Sequence, residues 1–337
     1  MPLLFGRVEF QGSLMRRDQI KIFLMLLVVT SALAVTSLRA QSPRRQFSLQ
    51  ALDPQFWKLI DQKTELNTLA TGFGFTEGPV WDDAGFLLVS DETLNKIFRL
   101  DLKGTKHEVI SLGDPDGNTY DRQHHLIDCA SVLRAIIDIS QDGKYKILAD
   151  HYQGARFNSP NDVIVGPDGA FYFSDPTLDL PQGQKQEIPF QGVYRLDRNG
   201  TVTLLTKDLS QPNGLAFSPD GKHLYVDDSR QRNIREYDFA NGLVSNGRVF
   251  GLEPGGKGEG VPDGMKVDTK GNIFVTGPGG IWVWDSQGHH LGTMIIPEQP
   301  ANLACGDKDR KTLYLTATTS VYKVRTKARG FVPYDEP

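Results

Sequence analysis

Residues 161–169, NDVIVGPDG, form the clearest copy of the unit that decides the fold of this chain. The apolar run Val163-Ile164-Val165 leads into a Pro-Asp-Gly turn that ends at Gly169, and a second apolar run, Phe171-Tyr172-Phe173, follows the turn. β-Branched and aromatic runs bounded by Pro, Asp and Gly are typical of antiparallel strands. The stretch therefore predicts a strand hairpin, with the oxygen-bearing side chain of Asn161 ahead of its first strand.

The same unit occurs six times along the chain. In every copy an acidic or amide residue stands eight positions before the turn position, and we call these the marker residues: Glu77, Asp116, Asn161, Asn213, Asp263 and Asn302. Successive markers are about 40–50 residues apart, which leaves room for four short strands and is the size of a propeller blade. The constant offset indicates one backbone unit that places an oxygen atom at a fixed position.

The two ends of the repeat region complement each other. The last copy offers only three strands, at Leu303-Ala304, Leu313-Tyr314-Leu315 and Val321-Tyr322-Lys323-Val324. The segment from Glu65 to Ala70, before the first marker, can supply the fourth. Joining both ends in one sheet closes a ring and removes an exposed strand edge. We therefore predict an all-β fold, a six-bladed β-propeller over residues 64–337, closed by an N-terminal strand that completes the last blade.

Turn chemistry is the alternative explanation of the markers. Asn-Gly and Asp-Gly pairs favour turns, so Asp116, Asn213 or Asp263 taken alone could be a turn residue. However, Glu77 has no such preference, and Asn161 is followed by Asp rather than Gly. The property that all six share is a side-chain oxygen. In a closed ring these oxygens converge on the axis.

The chemistry of the markers predicts a site for a hard cation. Glu77 and Asp263 offer carboxylates, and Asn161 and Asn213 offer neutral carbonyl oxygens, a mixture that suits Ca²⁺ with water completing the coordination. Zn²⁺, Mn²⁺ and Mg²⁺ are alternatives, although no marker is Cys or His, the residues that structural zinc sites use. Converging negative charges without a cation would repel one another.

The N-terminus has the pattern of an export signal. Basic residues from Met15 to Lys21 precede an apolar run, and Ala34 and Ala40 are two candidate cleavage positions. The apolar run is shorter than the ~20 residues of a membrane span, so we expect no stable span after cleavage, with an uncleaved anchor as the alternative. Residues 1–40 are therefore predicted to be a signal region, with Met15 as an alternative start, and the protein to be periplasmic or secreted. Residues 41–63 are predicted to be a linker and a short helix.

The charge and the cysteine content indicate which partners and covalent links the protein is expected to have. The formal net charge of −4, with both signs interspersed, does not indicate a nucleic-acid surface. The two cysteines, Cys129 and Cys305, fall in repeats that would not be neighbours in the ring, so we predict buried free thiols rather than a disulfide. Three aspartates that end strands, Asp91, Asp175 and Asp228, are expected to cap turns rather than to take part in catalysis.

Four stretches identify a family resemblance, and they follow one another in order: TEGPVW, RFNSPNDVIVGPDGAFYFSDPT, QPNGLAFSPDGKHLYV and VPDGMKVDTKGNIFVTGPGGIWVWD. With these motifs the sequence resembles the senescence marker protein / gluconolactonase family, the regucalcin-like six-bladed propellers. The resemblance extends from Phe75 to Arg325. It implies one divalent cation in the axial channel, held by Glu77, Asn161, Asn213 and Asp263.

The resemblance also implies an activity, the hydrolysis of lactones. The cation would polarise the lactone carbonyl, and Asp263 would act as the general base that activates water. Asn161 matches a position that in some members of the family faces substrate as much as metal. Asp116, which stands where relatives usually have Asn, and Asn302 complete the substrate side of the ring. His151 stands where relatives often have Arg, and a substrate contact and a structural hydrogen bond are equally compatible with it.

We therefore predict a calcium-dependent lactonase that acts on small sugar lactones such as gluconolactone. One rival is a hydrolase of organophosphates or aryl esters that uses the same site. The other is a non-catalytic propeller that binds a ligand or partner and keeps a structural cation. The sequence contains no G-x-S-x-G motif, which argues against a serine hydrolase.

Overall fold

The structure is a computed structural model that describes residues 45–256 and 259–333. The predicted signal region, with its candidate cleavage positions at Ala34 and Ala40, lies outside these residues. Three elements precede the first blade: strand β1 (Ser48–Ala51), the single helical turn α1 (Phe56–Leu59) and strand β2 (Leu66–Thr71). No helix among the described residues is long and apolar enough to cross a membrane.

The first three blades are antiparallel sheets of four strands each. Blade 1 contains β3 (Thr76–Asp82), β4 (Phe86–Asp91), β5 (Lys96–Leu100) and β6 (Lys106–Ser111). Blade 2 contains β7 (Pro115–Tyr120), β8 (Leu126–Ala130), β9 (Ala135–Ile139) and β10 (Tyr145–Ala149), and a small hairpin of β11 (His151–Tyr152) and β12 (Ala155–Arg156) follows it. Blade 3 contains β13 (Val163–Val165), β14 (Phe171–Asp175), β15 (Gly192–Leu196) and β16 (Val202–Thr206).

The last three blades repeat this arrangement with one addition. Blade 4 contains β17 (Pro212–Phe217), β18 (His223–Asp228), β19 (Asn233–Ala240) and β20 (Leu243–Leu252). Blade 5 contains β21 (Met265–Val267), β22 (Ile273–Gly277), β23 (Gly280–Trp284) and β24 (His290–Ile295), to which β1 adds a fifth strand. Blade 6 contains β25 (Pro300–Gly306), β26 (Thr312–Ala317) and β27 (Ser320–Arg325), with β2 as its fourth strand.

The ring is closed as the sequence predicts. Strand β2 runs antiparallel to β27, with Leu66 opposite Val324 and Thr71 opposite Ser320. The first and last parts of the propeller therefore share one sheet, and the six-bladed fold is confirmed. The closing strand ends at Thr71, one residue beyond the predicted segment.

Strand β1 was not predicted from the sequence. It pairs antiparallel with β24, from Ser48 opposite Ile295 to Ala51 opposite Gly292. Directly after it, Phe56 is fully buried in the hydrophobic core that blades 5 and 6 share. The addition covers the outer edge of blade 5, which would otherwise offer unpaired backbone groups.

Apolar side chains fill the spaces between neighbouring blades. Between blades 2 and 3, Ile127 and Ile136 pack with Phe171 and Phe173, all of them buried. Aromatic rings contribute here, since Phe173 stacks on Tyr194 with ring centroids 5.4 Å apart. Both cysteines are buried free thiols, as predicted.

Strand-ending aspartates hold the loops that lead into the innermost strands. Asp91 accepts hydrogen bonds from the backbone nitrogens of Gly74 and Phe75, and Asp175 accepts one from the backbone nitrogen of Asn158 over 2.9 Å. Asp228 accepts the same kind of bond from Ser210. These contacts confirm the capping role predicted for the three carboxyls, and they fix the backbone just before Glu77, Asn161 and Asn213.

Glycines that follow the markers allow the blades to approach each other at the axis. A Cβ atom on Gly78 would lie 1.9 Å from the carbonyl oxygen of Asp116 in the next blade. One on Gly214 would lie 1.9 Å from the carbonyl oxygen of Asp263. Only glycine fits against a neighbouring backbone at this separation. The glycines that follow Glu77 and Asn213 therefore serve packing between blades rather than a turn.

Candidate metal-binding site on the ring axis

The six marker residues all lie at the start of an innermost strand. Four of them are inside these strands and two, Asn161 and Asp263, stand two residues before them. Five of the side chains are buried, whereas Asp263 keeps part of its surface open to solvent. The repeat therefore brings six side chains that bear oxygen to one ring of positions around the axis.

Hydrogen bonds link markers of adjacent blades. The Asn302 side-chain amide donates to Oε2 of Glu77 over 2.9 Å, which joins blade 6 to blade 1. The Asn161 amide donates to Oδ2 of Asp116 over 2.6 Å, which joins blade 3 to blade 2. Asn213 donates to Oγ of Ser229 over 3.2 Å. Because these bonds use the Nδ2 groups, the carbonyl oxygens of Asn161 and Asn213 are left for another partner.

One acidic residue of the site, Glu92, was not predicted from the sequence. Carboxylate oxygens of Glu92, Glu77 and Asp116 lie within 4.8 Å of one another, and such a group can hold a metal ion. Glu92 directly follows the strand-ending Asp91, and Ser229, which contacts Asn213, directly follows Asp228 in the same way. The signal that could have found Glu92 is this position after a strand-ending aspartate.

Two further carboxyls, Asp114 and Asp179, lie close to this group. Burial raises the pKa of Asp114 to about 7, and the charge of Asp179 adds to the effect. The pKa of Asp179 is also raised by burial, while a hydrogen bond from Asn161 opposes the change. Neither residue belongs to the repeat, and both reach the site from loops.

The electrostatics of the ring are unfavourable for free carboxylates. Burial raises the pKa of Glu77 to about 7, although hydrogen bonds from Gly78 and Asn302 act in the opposite direction. Burial and the nearby charge of Glu77 raise the pKa of Glu92 to about 10. The pKa of Asp116 lies well above its ordinary value because of burial and the charge of Glu92. These groups cannot all be ionised together unless a positive charge joins them.

Asp263 experiences the same influences. Its pKa is raised well above the ordinary value, first because surrounding protein removes the carboxyl from water and then because Glu77 and Asp227 lie nearby. The residue as a whole is half-buried, so one side of it still borders solvent. A carboxyl in such a place is a candidate for proton transfer.

A lysine lies among these polar groups. The ammonium of Lys266, on β21, donates to the carbonyl oxygen of Met265 over 2.9 Å and lies 3.5 Å from Oδ1 of Asn302. Its charge partly opposes the burial that raises the pKa of Asp162. Lys266 also lines a cavity whose wall includes Phe331 and Val332 from the C-terminal segment.

His151 lies apart from the marker contacts. It is on the exposed hairpin β11–β12, and its Nδ1 is 2.6 Å from Oδ1 of Asp150. None of its hydrogen bonds within residues 45–256 and 259–333 reaches a marker residue. A substrate contact by His151 stays a prediction, as do the ligand and catalytic roles of the marker residues.

The fold and the site together define a six-bladed propeller with a ring of acidic and amide side chains on its axis. Residues 75–319 match the family described as the SMP-30/Gluconolactonase/LRE-like region, and the chain belongs to this family. The resemblance drawn from the four sequence stretches is thereby confirmed.

Individual relatives agree with this assignment. The chain is 32% identical to a gluconolactonase of Zymomonas mobilis, in an alignment that covers 95% of this chain and 99% of the relative. It is 30% identical to a pentonolactonase of Haloferax volcanii, over 71% of this chain and 80% of the relative. Among solved structures, a gluconolactonase from Xanthomonas campestris superimposes with a TM-score of 0.78 at 29% identity, over 86% of this chain and 99% of that one.

Proposed function

We propose that this protein is a lactonase that opens sugar lactones such as gluconolactone with the help of a divalent cation, most simply Ca²⁺. The observation that carries the proposal is the ring of oxygen-bearing side chains on the axis, in a chain that is similar over 95% of its length to a gluconolactonase. The residues proposed to hold the cation are Glu77, Asn161, Asn213 and Asp263.

The residues present fit such a cation. Every marker offers oxygen, the ligand atom that Ca²⁺, Mg²⁺ and Mn²⁺ prefer. Asn161 and Asn213 donate hydrogen bonds through Nδ2, which leaves their carbonyl oxygens for a cation. Burial and mutual repulsion raise the pKa of Glu77 and of Asp263, and a bound divalent cation would favour the ionised form of both.

When bound, a divalent cation supplies a Lewis acid for the lactone carbonyl. Asp263 is proposed as the general base, because it combines a position in the ring with access to solvent. Its carboxylate would take a proton from the attacking water, and the protonated carboxyl would return that proton to the ring oxygen of the lactone as the ester bond breaks.

The substrate side of the ring is proposed to consist of Asn161, Asp116 and Asn302, with His151 at the outer hairpin. Carboxylate and amide oxygens accept hydrogen bonds from sugar hydroxyls, and these residues supply such oxygens around the axis. A polyhydroxylated lactone suits this lining better than an apolar aryl ester does.

The test is hydrolysis of gluconolactone followed by acid release in a pH-stat, with a blank that measures spontaneous opening. We expect turnover by the purified protein, its loss after dialysis against a chelator, and recovery on addition of one of Ca²⁺, Mn²⁺, Zn²⁺ or Mg²⁺. Hydrolysis of aryl esters or organophosphates without lactone turnover would favour the rival hydrolase. Cation binding without turnover on a broad lactone panel would favour the non-catalytic propeller.

We also propose that residues 1–40 export the protein to the periplasm or the medium, from the basic and apolar pattern of that region. Fractionation of cells that express the full chain tests this proposal. N-terminal sequencing of the exported form would separate cleavage after Ala34 or Ala40 from an uncleaved anchor. Protein that remains in the cytosol with Met1 or Met15 at its N-terminus would contradict it.

A further inference from the structure

Three carboxyl groups on one side of the ring form a cluster, and only Glu77 among them belongs to the proposed cation site. Oxygens of Glu77, Glu92 and Asp116 lie within 4.8 Å of one another, whereas Asp263 is not part of this group. Glu77 comes from β3, Asp116 from β7, and Glu92 from the loop that follows β4. Two adjacent blades therefore build the group.

The hydrogen bonds of the group leave one buried acceptor oxygen, on Asp116, without a donor within the described part of the chain. Oδ2 of Asp116 accepts from the Asn161 amide over 2.6 Å, but Oδ1 of the same carboxyl is buried and has no hydrogen-bond partner in the described residues. Oε2 of Glu77 accepts from the Gly78 backbone nitrogen over 2.7 Å and from Asn302 over 2.9 Å. A buried carboxylate oxygen without a donor is costly, and a cation would satisfy it.

The charges around the group are also negative. Besides burial, both Glu92 and Asp116 experience the charges of other carboxyls, including Asp179 in both cases. One divalent cation held mainly by Glu77 and Asp263 would leave Glu92 and Asp116 unbalanced. A second cation beside Glu92 and Asp116 would balance their charge in the ionised state.

We propose that Glu92, Asp116 and Glu77 hold a second divalent cation, with Glu77 shared between this position and the cation of the proposed function. The inference rests on that first cation. The ligands are all oxygen and carry formal charge, so the second cation belongs to the hard class of Ca²⁺, Mn²⁺ and Mg²⁺. Glu92 is partly exposed, which gives the cation a route from solvent and leaves room for water ligands.

The count of bound ions tests the proposal, with Mn²⁺ as the probe. The full chain is freed of metal with a chelator and equilibrated with excess Mn²⁺. The metal content is then measured by plasma mass spectrometry after unbound ions are removed. We expect two Mn²⁺ per chain, and magnetic coupling between them in the electron paramagnetic resonance spectrum. One Mn²⁺ per chain in the wild type would overturn the proposal.

Substitutions locate the second ion. Glu92→Gln and Asp116→Asn should each lower the content to one Mn²⁺ and abolish the coupling. Asp114→Asn is the matched control, because Asp114 is a nearby carboxyl outside the group of three, and it should keep two. Two ions in Glu92→Gln would contradict the assignment. If a variant fails to fold, as judged by circular dichroism, the number of Mn²⁺ ions bound by the wild type and their magnetic coupling still decide whether a second ion is bound.

The two proposals fail in different ways. If the protein hydrolyses gluconolactone in a cation-dependent manner but binds a single Mn²⁺, the proposed function stands and the second site does not. If it binds two coupled Mn²⁺ but hydrolyses no lactone, the second site stands and the proposed function does not. A single ion lost in Glu92→Gln would place the one cation at the group of three carboxyls and overturn the second site.

Discussion

The side-chain amide of Asn302 donates a hydrogen bond to Oε2 of Glu77 over 2.9 Å, so the last blade is tied to the first at the ring axis. The two residues are 225 positions apart in the chain. Oδ1 of Asn302 is engaged as well, since it accepts from the backbone nitrogen of Leu303 over 2.8 Å. Asn302 thus orients a proposed cation ligand while it holds its own strand in place.

Asn302→Leu should weaken cation binding and lower stability. It removes the donor that orients Glu77 and leaves the Leu303 nitrogen without its acceptor. We expect a loss of Ca²⁺ affinity of about 10–100-fold, typical of partners that orient metal ligands. The free energy of unfolding should fall by about 1–3 kcal/mol. Calorimetric titration with Ca²⁺ and urea denaturation measure the two effects. Asn199→Ala, at an exposed turn, is the control, and equal Ca²⁺ affinity in both variants would contradict the role.

Asp263→Asn should separate binding of the cation from catalysis. The amide keeps an oxygen for the cation but cannot accept a proton from water. We expect kcat for gluconolactone to fall by about 10²–10⁴-fold, the usual contribution of a general base. Steady-state kinetics should be paired with a measurement of bound metal. Full turnover in a variant that still binds the cation would remove Asp263 from the role of base.

Gly214→Ala should disturb the approach of blade 4 to blade 5. The added methyl group would lie 1.9 Å from the carbonyl oxygen of Asp263, a backbone atom that cannot move freely. We expect the free energy of unfolding to fall by roughly 2–3 kcal/mol, together with a loss of lactonase activity as Asp263 is displaced. Urea denaturation and kinetics measure both.

Gly113→Ala is the matched control for this substitution. Its nearest neighbour atom is a Val132 side-chain carbon at 3.2 Å, which can shift. The change in stability should stay within about 1 kcal/mol. Similar losses in Gly113→Ala and Gly214→Ala would show that contact between blades at the axis is not the cause.

Asp175 should make stability depend on pH. Burial raises the pKa of Asp175 from its ordinary value of 3.8 to about 8, so the folded protein keeps this proton to higher pH than the unfolded chain does. The stabilisation that comes from binding this proton is therefore complete below about pH 4 and is lost as the pH rises towards 8. In Asp175→Asn the group is neutral throughout, while the amide oxygen can still accept from Asn158.

The measurement is urea denaturation of wild type and Asp175→Asn at several pH values between 5 and 8. The stability of the wild type relative to the variant should fall with rising pH, by up to about 1.4 kcal/mol per pH unit. Titration of the axial carboxyls occurs in both proteins and cancels in the difference. Asp142→Asn is the control, because a hydrogen bond from Lys144 lowers the pKa of Asp142 and its charge does not change in this range. A constant difference between wild type and Asp175→Asn would contradict the prediction.

Local sequence patterns were sufficient to predict the blades and their marker residues. A marker and its strand are neighbours in the chain, so the fixed offset before Gly169 and its counterparts was visible without a structure. The closing strand was predicted because the last blade lacked one strand. By contrast, β1 could not be predicted, since its short alternating sequence shows no partner until β24 presents an open edge.

The sequence by itself determined the repeat, the number of blades and the six oxygen-bearing side chains that converge on the axis. Only the tertiary structure decided which of these side chains touch. Glu92 meets Asp116 and Glu77 because ring closure and the loop after β4 bring them together, and no spacing in the chain encodes that meeting. The raised pKa values of these carboxyls arise in the same way. Burial and repulsion depend on distances through space, which exist only once the ring is closed.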